Sequence, residues 1–433
     1  MVSMTIGLDL SDLGFDNAPA STVEPEPLVE DSGRTLVIGS VLAKALHSVW
    51  SGNPVTVIDS PPGAGKTWLV TMIVAYLKER SDLKMIIGCP TRNGAYDIAA
   101  RIALELGPDR NGNPQVALSV NGMEPPEGVS KGGAHDGGRN IPVVRTLASL
   151  KASPSTAVCD LMIVDEAYQA TFADVAAAAD SAEQVLFVGD PGQIGPVVTI
   201  ATDAFRGKQR APHMRAPEVF AQMEGAEILS MDTTYRLGQE TVDVIAPLYK
   251  FPFTSQRPDR YLTDAFGNRA SEIVPLQLEV SPTYDHLPTL EIIARHAADL
   301  VGTTLVEFDA EGEPVARLLL PTDVAVVVAH NAQETKIKAI LESFKMDGIT
   351  VGTADKLQGG QWHAVVAMDP LIGYTTAGSH QLSPGRLCVM ASRHMTHLTW
   401  AWQDGWEDAL FDPDIDQDEA ALGRRVRYRL TAE

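Results

Sequence analysis

Apolar and polar positions follow two alternating rhythms along this chain. Short aliphatic and β-branched runs at 55–58, 85–89, 161–164 and 185–188 each end in a polar or glycine-containing turn. Longer stretches with helical spacing lie at 37–49, 68–78 and 96–106. Strand, turn and helix repeated in this order predict a parallel α/β sheet covered on both faces. A second pattern of the same kind begins near Met231, with its clearest strands at 323–329, 349–353 and 364–368. Open parallel sheets bind ligands beyond the carboxyl ends of their strands, which is where this chain places its polar turns.

The pattern divides the chain into a leader over 1–34, an α/β domain over 35–230, a second over 231–410 and a charged tail over 411–433. Up to Gly33 the leader holds seven acids and neither Lys nor Arg, a composition that predicts disorder. Its Leu8, Leu10, Leu13 and Phe15 form a candidate docking peptide for a protein partner; a solvated tail is the plainer reading. Residues 107–142 are rich in Gly, Pro and Asn and read as a long flexible excursion rather than a folded insert. The tail runs from acids (Asp412, Asp414, Asp416, Asp418, Glu419) to bases (Arg424, Arg425, Arg427, Arg429).

With 433 residues, the chain exceeds one ordinary core. No apolar run approaches the roughly 18–20 residues of a membrane span, and the N-terminus lacks the basic segment of a secretory signal, so no membrane partner is expected. Cys89, Cys159 and Cys388 stand far apart, which argues against a disulfide framework or zinc module and fits a reducing cytoplasm. The net charge of −22, from 34 bases and 56 acids, opposes tight binding to duplex nucleic acid. It is a weaker objection to a single strand held in a narrow groove.

Chemistry concentrates at two places. Ser60-Pro61-Pro62-Gly63-Ala64-Gly65-Lys66-Thr67 lies between a strand run and a helical stretch headed by Trp68. In such a loop backbone N–H groups wrap phosphates, and the helix N-terminus adds a favourable dipole. Lys66 would reach the β- and γ-phosphates of a nucleoside triphosphate, ATP, and the Thr67 hydroxyl would ligate Mg²⁺. Asp165 ends an apolar run, where a carboxylate completes the magnesium site, and Glu166 beside it polarises the attacking water.

These residues sit in a longer series that resembles superfamily 1 helicases, most of all the 5′-to-3′ group that includes the nonsense-mediated-decay helicase. Asp165-Glu166-Ala167-Tyr168-Gln169 matches that group's Asp-Glu-Ala-x-Gln motif. Gly189-Asp190-Pro191-Gly192-Gln193-Ile194-Gly195-Pro196 matches Gly-Asp-x-x-Gln-Leu-x-Pro, with Ile for Leu. Thr91 to Ala95 matches Thr-x-x-x-Ala, Thr234-Tyr235-Arg236 approximates Gln-Tyr-Arg, and Asn331-Ala332-Gln333 matches Asn-Ala-Gln. Gly352 to Gln361 and Arg386 to Arg393 approach the two remaining motifs.

The resemblance spans about residues 50–400 and implies two tandem RecA-like P-loop NTPase domains with an ATP site between them. It implies that Gln193 senses the γ-phosphate, Tyr235 stacks on the base, and Arg236 and Arg393 are arginine fingers. It further implies that Thr91, Arg92, Asn93, Asn331 and Thr353 touch single-stranded DNA or RNA, DNA slightly favoured. Gln361 stands where the family has a ribose-linked Glu, and Ser60 where it has Gly. No glutamine motif precedes the loop, and the stalk and barrel that relatives insert there have no room in the first 50 residues. The expected activity is an ATP-dependent single-strand translocase or helicase. Alternatives are an ATPase that remodels protein–nucleic-acid complexes without unwinding, and a nucleotide-dependent switch with little turnover. A basic cluster (Arg206, Lys208, Arg210, Arg215) is a candidate phosphate contact or a solvated loop. Trp362, Trp400, Trp402 and Trp406 read as packing residues before base-stacking ones, and His330, His363, His394 and His397 lack metal-ligand spacing.

Overall fold

The computed structural model describes residues 28–29, 35–132, 141–153, 158–198, 201–205, 207–264 and 266–432. Apart from Leu28 and Val29, the expected leader and its docking peptide lie outside the described residues, as does Arg206 of the basic cluster.

Two parallel sheets organise the chain. The first has eight strands in the order Ala226–Ser230, Val55–Asp59, Ala182–Gly189, Cys159–Val164, Met85–Cys89, Val143–Thr146, Ala117–Ser119 and Ser130–Lys131. Every neighbouring pair runs parallel, so both faces are covered and the central strands are apolar throughout. Alternate residues supply the two layers. Ile58, Ile87, Ile163 and Val188 pack with the helices Val41–Trp50, Lys66–Arg80 and Arg92–Leu106. Val57, Ile86, Val164 and Phe187 pack with Leu147–Ala152, Phe172–Ala179 and Ala216–Phe220. The second sheet has the order Ile273–Leu278, His394–Gln403, Trp362–Met368, Val324–Val328, Thr350–Thr353, again all parallel. It too is sandwiched between two apolar layers. These are two tandem RecA-like domains with parallel sheets. The chain leaves the first sheet after Ser230, its edge strand beside the phosphate-loop strand.

Three expectations are corrected. The 107–142 segment is not a free excursion, because Ala117–Ser119 and Ser130–Lys131 extend the first sheet, with Val116, Leu118 and Val129 in its core. The charged tail is not a tail: Gln417–Leu430 is a helix, capped by Asp416 accepting from the Asp418 and Glu419 amides. Val426 and Leu430 enter the second core. Arg427 meets Asp369 in a two-pronged ion pair at 2.8 and 3.1 Å, with side chains only 1% and 2% exposed. Third, Arg215 of the basic cluster is not free for a phosphate. It donates to the Pro191 and Gln193 carbonyls at 2.6 and 3.0 Å and braces that loop.

Removing one partner of a buried ion pair strands the other charge at a cost of about 3–5 kcal/mol. Arg427→Ala is therefore expected to lower stability by that order in a denaturant melt. The double variant Arg427→Met with Asp369→Leu is expected to lose less than Arg427→Ala alone.

Candidate functional site

The site forms where the carboxyl ends of four central strands of the first sheet meet the start of the second domain. Val55–Asp59 leads into the phosphate loop. Gly63 and Gly65 take left-handed φ of +75° and +88°, and the helix Lys66–Arg80 starts at Gly65 with no side-chain cap. Its first-turn N–H groups therefore point into the cleft unpaired by a cap, which is an anion site. Ser60, in place of the usual glycine, is fully buried; its amide and hydroxyl both donate to the Gly189 carbonyl, at 2.9 and 3.2 Å. The substitution thus ties the loop to the neighbouring strand.

Acids gather opposite the loop. Asp165 follows Cys159–Val164, is buried, and accepts from the Glu166 amide at 2.9 Å. Burial, then the Glu166 charge, raise its carboxyl to about 7. Glu166 holds a left-handed φ of +49°, rare for a non-glycine residue, and accepts from the Gln169 amide group at 3.3 Å. Asp190 follows Ala182–Gly189, is buried, and lies 3.9 Å from Lys66 Nζ. Burial raises its carboxyl, although Lys66 and hydrogen bonds pull the other way. It accepts from Gln193 Nε2 at 2.8 Å and from the Tyr249 hydroxyl at 3.0 Å.

The second domain closes the cleft. Thr234 Oγ1 donates to the Pro62 carbonyl at 2.7 Å, and the Tyr235 amide to the Gly63 carbonyl at 3.0 Å. A Cβ at Gly63 would lie 2.3 Å from Arg236 Cβ, so only glycine permits this approach. The Tyr235 ring is left 54% exposed beside the loop. Arg236 Nε donates to Gln361 Oε1 at 3.0 Å, so Gln361, where a ribose contact was expected, holds an arginine. Burial and the neighbouring Arg393 push the Arg236 guanidinium down to about 9, still charged at neutral pH. Arg393 is 1% exposed, and no carboxylate among the described residues pairs with it. Among the described residues its side chain donates only to the Gly360 carbonyl at 3.5 Å and Ser392 Oγ at 3.2 Å, and its Nε has no partner. Gln358 Nε2 reaches Gln193 Oε1 at 3.1 Å and so links the two domains.

A cavity of 430 Å³ opens from this centre. Thr67, Thr91, Asn93, Asp165 and Glu166 line it from the first domain, and Asp355, Gln358 and Gly359 from the second. Thr91 also caps the helix Arg92–Leu106 by accepting from the Gly94 amide, and Arg92 donates to the Asn121 carbonyl at 2.6 Å. The expected strand-contacting residues are not all brought together. Asn331 is exposed at the start of the helix Asn331–Ser343 in the second domain. Thr353 is buried, and its hydroxyl caps Ala354–Leu357 by accepting from the Lys356 amide. Trp400 and Trp406 are buried, and Trp362 and Trp402 pack against the second core. Trp68 is 58% exposed on the first turn of the phosphate-loop helix. Sequence reading missed Asp190, Tyr249 and Gln358 as site residues. Asp190 and Gln358 lay in plain view inside quoted motifs; Tyr249 is brought in by packing alone. A Cβ at Gly192 would lie 2.4 Å from the Tyr249 ring, so a glycine in the matched motif marks the place where the tyrosine arrives.

Residues 43–223 match the family model described as an AAA domain, which covers the phosphate loop and both acid-bearing turns. Among solved structures, a PRRSV helicase is similar at 17% identity, over 83% of this chain and 54% of that one, with a TM-score of 0.43. An arterivirus nonstructural protein 10 (helicase) in complex with DNA is similar at 15% identity, over 92% of this chain and 73% of that one, with a TM-score of 0.46. The chain thus spans about half the length of the first of these. No curated protein matches the sequence. No helix among the described residues is long and apolar enough to cross a membrane.

The segment carrying Arg236 is anchored by Glu272, which accepts from the Gly238 amide and Thr241 hydroxyl at 2.8 Å and lies near His394 and Arg257. Burial alone would raise this carboxyl; the hydrogen bond and charge of His394, then the Arg257 charge and the Thr241 hydroxyl, outweigh it and hold it at about 2, below its ordinary 4.5. A depressed carboxylate contributes stability above its unfolded pKa and loses it as pH falls through the folded value. Stability is therefore expected to fall as pH drops from about 4.5 to about 2, and Glu272→Gln to flatten that part of a melting-temperature profile.

Proposed function

We propose that the protein is an ATP-driven motor that moves along single-stranded nucleic acid. The observation that carries this reading is the division of charge across the cleft. Lys66, Asp165 and Glu166 stand on one wall, and Arg236 with the carboxylate-free Arg393 stands on the other. A buried guanidinium without an anion is costly unless an anion arrives, and a triphosphate seated on the loop supplies one.

The chain's residues divide the work. The amides of Gly63 to Thr67 bind the phosphates and Lys66 neutralises them. Thr67 and Asp165 present hard oxygen donors that fit Mg²⁺, which when bound would neutralise charge on the β- and γ-phosphates. Glu166 orients and polarises the attacking water. Arg236 and Arg393 stabilise the charge that develops on the transferred group. Tyr235, exposed beside the loop, packs on the base. Gln193 and Gln358, joined across the cleft, report the state of the γ-phosphate to the second domain, and the strand lies over Thr91, Arg92, Asn93 and Asn331. The motif series favours 5′-to-3′ movement, and DNA is slightly favoured over RNA as the track.

ATP turnover of the full chain, measured alone and with single-stranded DNA or RNA of equal length, tests the reading. One polymer is expected to raise turnover several-fold or more. Equal turnover in all three, or turnover unchanged by Glu166→Gln, would sink it. Arg393→Met separates function from stability. Turnover is expected to fall by about 10³-fold or more while the melting temperature holds or rises, because a buried charge without a counter-ion is removed. A large fall in melting temperature would mean that Arg393 is a structural residue instead.

A further inference from the structure

A cluster of four rings lies in the second domain, outside every motif except the Asn331 segment it adjoins. Tyr284 and Tyr374 are stacked, with centroids 5.8 Å apart and planes 18° from parallel. His330 and His380 are stacked at 4.8 Å and 19°. Tyr284 meets His330 at 4.7 Å, and the Tyr374 hydroxyl bonds His330 Nε2 at 3.0 Å. All four are only half-buried. A hydrophobic core would bury such rings; here they line the surface at the carboxyl-end edge of the second sheet, the edge that binds ligands in this architecture.

The cluster is built. Tyr284 follows the strand Ile273–Leu278, Tyr374 follows Trp362–Met368, and His330 precedes the helix Asn331–Ser343. The first two loops touch at Gly373, whose φ is +79° and where a Cβ would lie 2.2 Å from the backbone of Thr283 and Tyr284. Gln333 Nε2 fixes the Tyr284 carbonyl at 2.8 Å. Towards the interdomain cavity, Asp355 on its wall pairs with Arg386 at 3.1 Å, and the Arg386 charge acts on both His330 and His380. Burial, then Arg386, push His380 down to about 4, so it presents an uncharged ring at neutral pH.

We propose that Tyr284, His330, Tyr374 and His380 form a stacking platform for the bases of a single strand, continuing the path that begins at Thr91 and Asn93. This rests on the motor reading and adds a site to it. Stacking on aromatic faces is tolerant of sequence, because every base has a π-face. It also suits a chain of net charge −22, which has few cations to offer phosphates.

The test compares two fluorescein-labelled twelve-mers of identical backbone, oligo-dT and its fully abasic counterpart, by anisotropy with the full chain. The wild type is expected to bind the base-bearing strand at least about five-fold tighter, the lower end of one base stacked on a ring. Tyr284→Leu with Tyr374→Leu is expected to bring the two affinities within two-fold, with abasic binding and polymer-free ATP turnover unchanged. Tyr374→Phe, which keeps the ring, is expected to retain the preference. Equal wild-type affinity for both strands overturns the platform and leaves the motor reading standing, as does a full base preference in the double leucine variant. No binding of either strand overturns both.

Discussion

The contact on which this molecule turns is the seating of Thr234, Tyr235 and Arg236 directly on the phosphate loop. Two hydrogen bonds make it, one to the Pro62 carbonyl and one to the Gly63 carbonyl, and the missing Cβ at Gly63 allows it. The loop that grips phosphate and the segment that carries Arg236 are thereby one unit. Leu237, the next residue, is buried in the second core, and Gly238 is tied to Glu272, which also holds Thr241. A displacement of the second sheet therefore has a short, hydrogen-bonded route to the phosphate loop.

Buried charge is distributed in two ways. Where an ion pair is structural, as in Arg427 with Asp369, it is matched prong for prong and sealed from water. In the cleft the matching is withheld. Asp165 and Glu166 are adjacent like charges, Lys66 is only loosely held by Asp190 at 3.9 Å, and Arg393 has no carboxylate among the described residues. Each arrangement is locally unfavourable, and local rules are usually broken at functional sites. On the proposed reading, the carboxylates also repel a polyanion, so the cleft accepts a triphosphate only where Lys66, the loop amides and the arginines outweigh them, which confines the phosphates to the loop side of the cleft.

What could be read from the sequence was what covalent spacing fixes. Residues 60–67 and 165–169 each carry their chemistry within one turn between predictable elements, and they arrive at the same sheet edge because each follows a parallel strand. What could not be read depended on partners far along the chain. The strands Ala117–Ser119 and Ser130–Lys131 are too short to show a period, and their glycine- and proline-rich surroundings resemble a loop. The helix Gln417–Leu430 looks like a solvated tail until Arg427 finds Asp369, 58 positions away. Thr353 sits in a recognisable motif, yet its hydroxyl satisfies a helix start, as threonine commonly does at that position. Tyr249 carries no signal of its own; only Gly192, far from it in sequence, marks where its ring must lie.

The acidic balance of the chain, at first sight an argument against nucleic acid, gains a different meaning from this geometry. The cavity shared by the two domains has Asp97, Asp165, Glu166 and Asp355 in its walls and Arg101 among them. Such walls cannot hold a phosphate backbone by charge alone, and the basic cluster loses Arg215 to the loop it braces. On the proposed reading, affinity for a strand must come mainly from groups that carry no net charge: Thr91 and Asn93 at a helix start, exposed amides such as Asn331, and rings that accept bases, with Arg92 the one cation among them. Binding of that kind is weaker per contact than counterion release, and a strand held weakly by many neutral contacts can be let go and regained as the cleft opens and closes. The same surface would be a poor choice for a protein that had only to hold on.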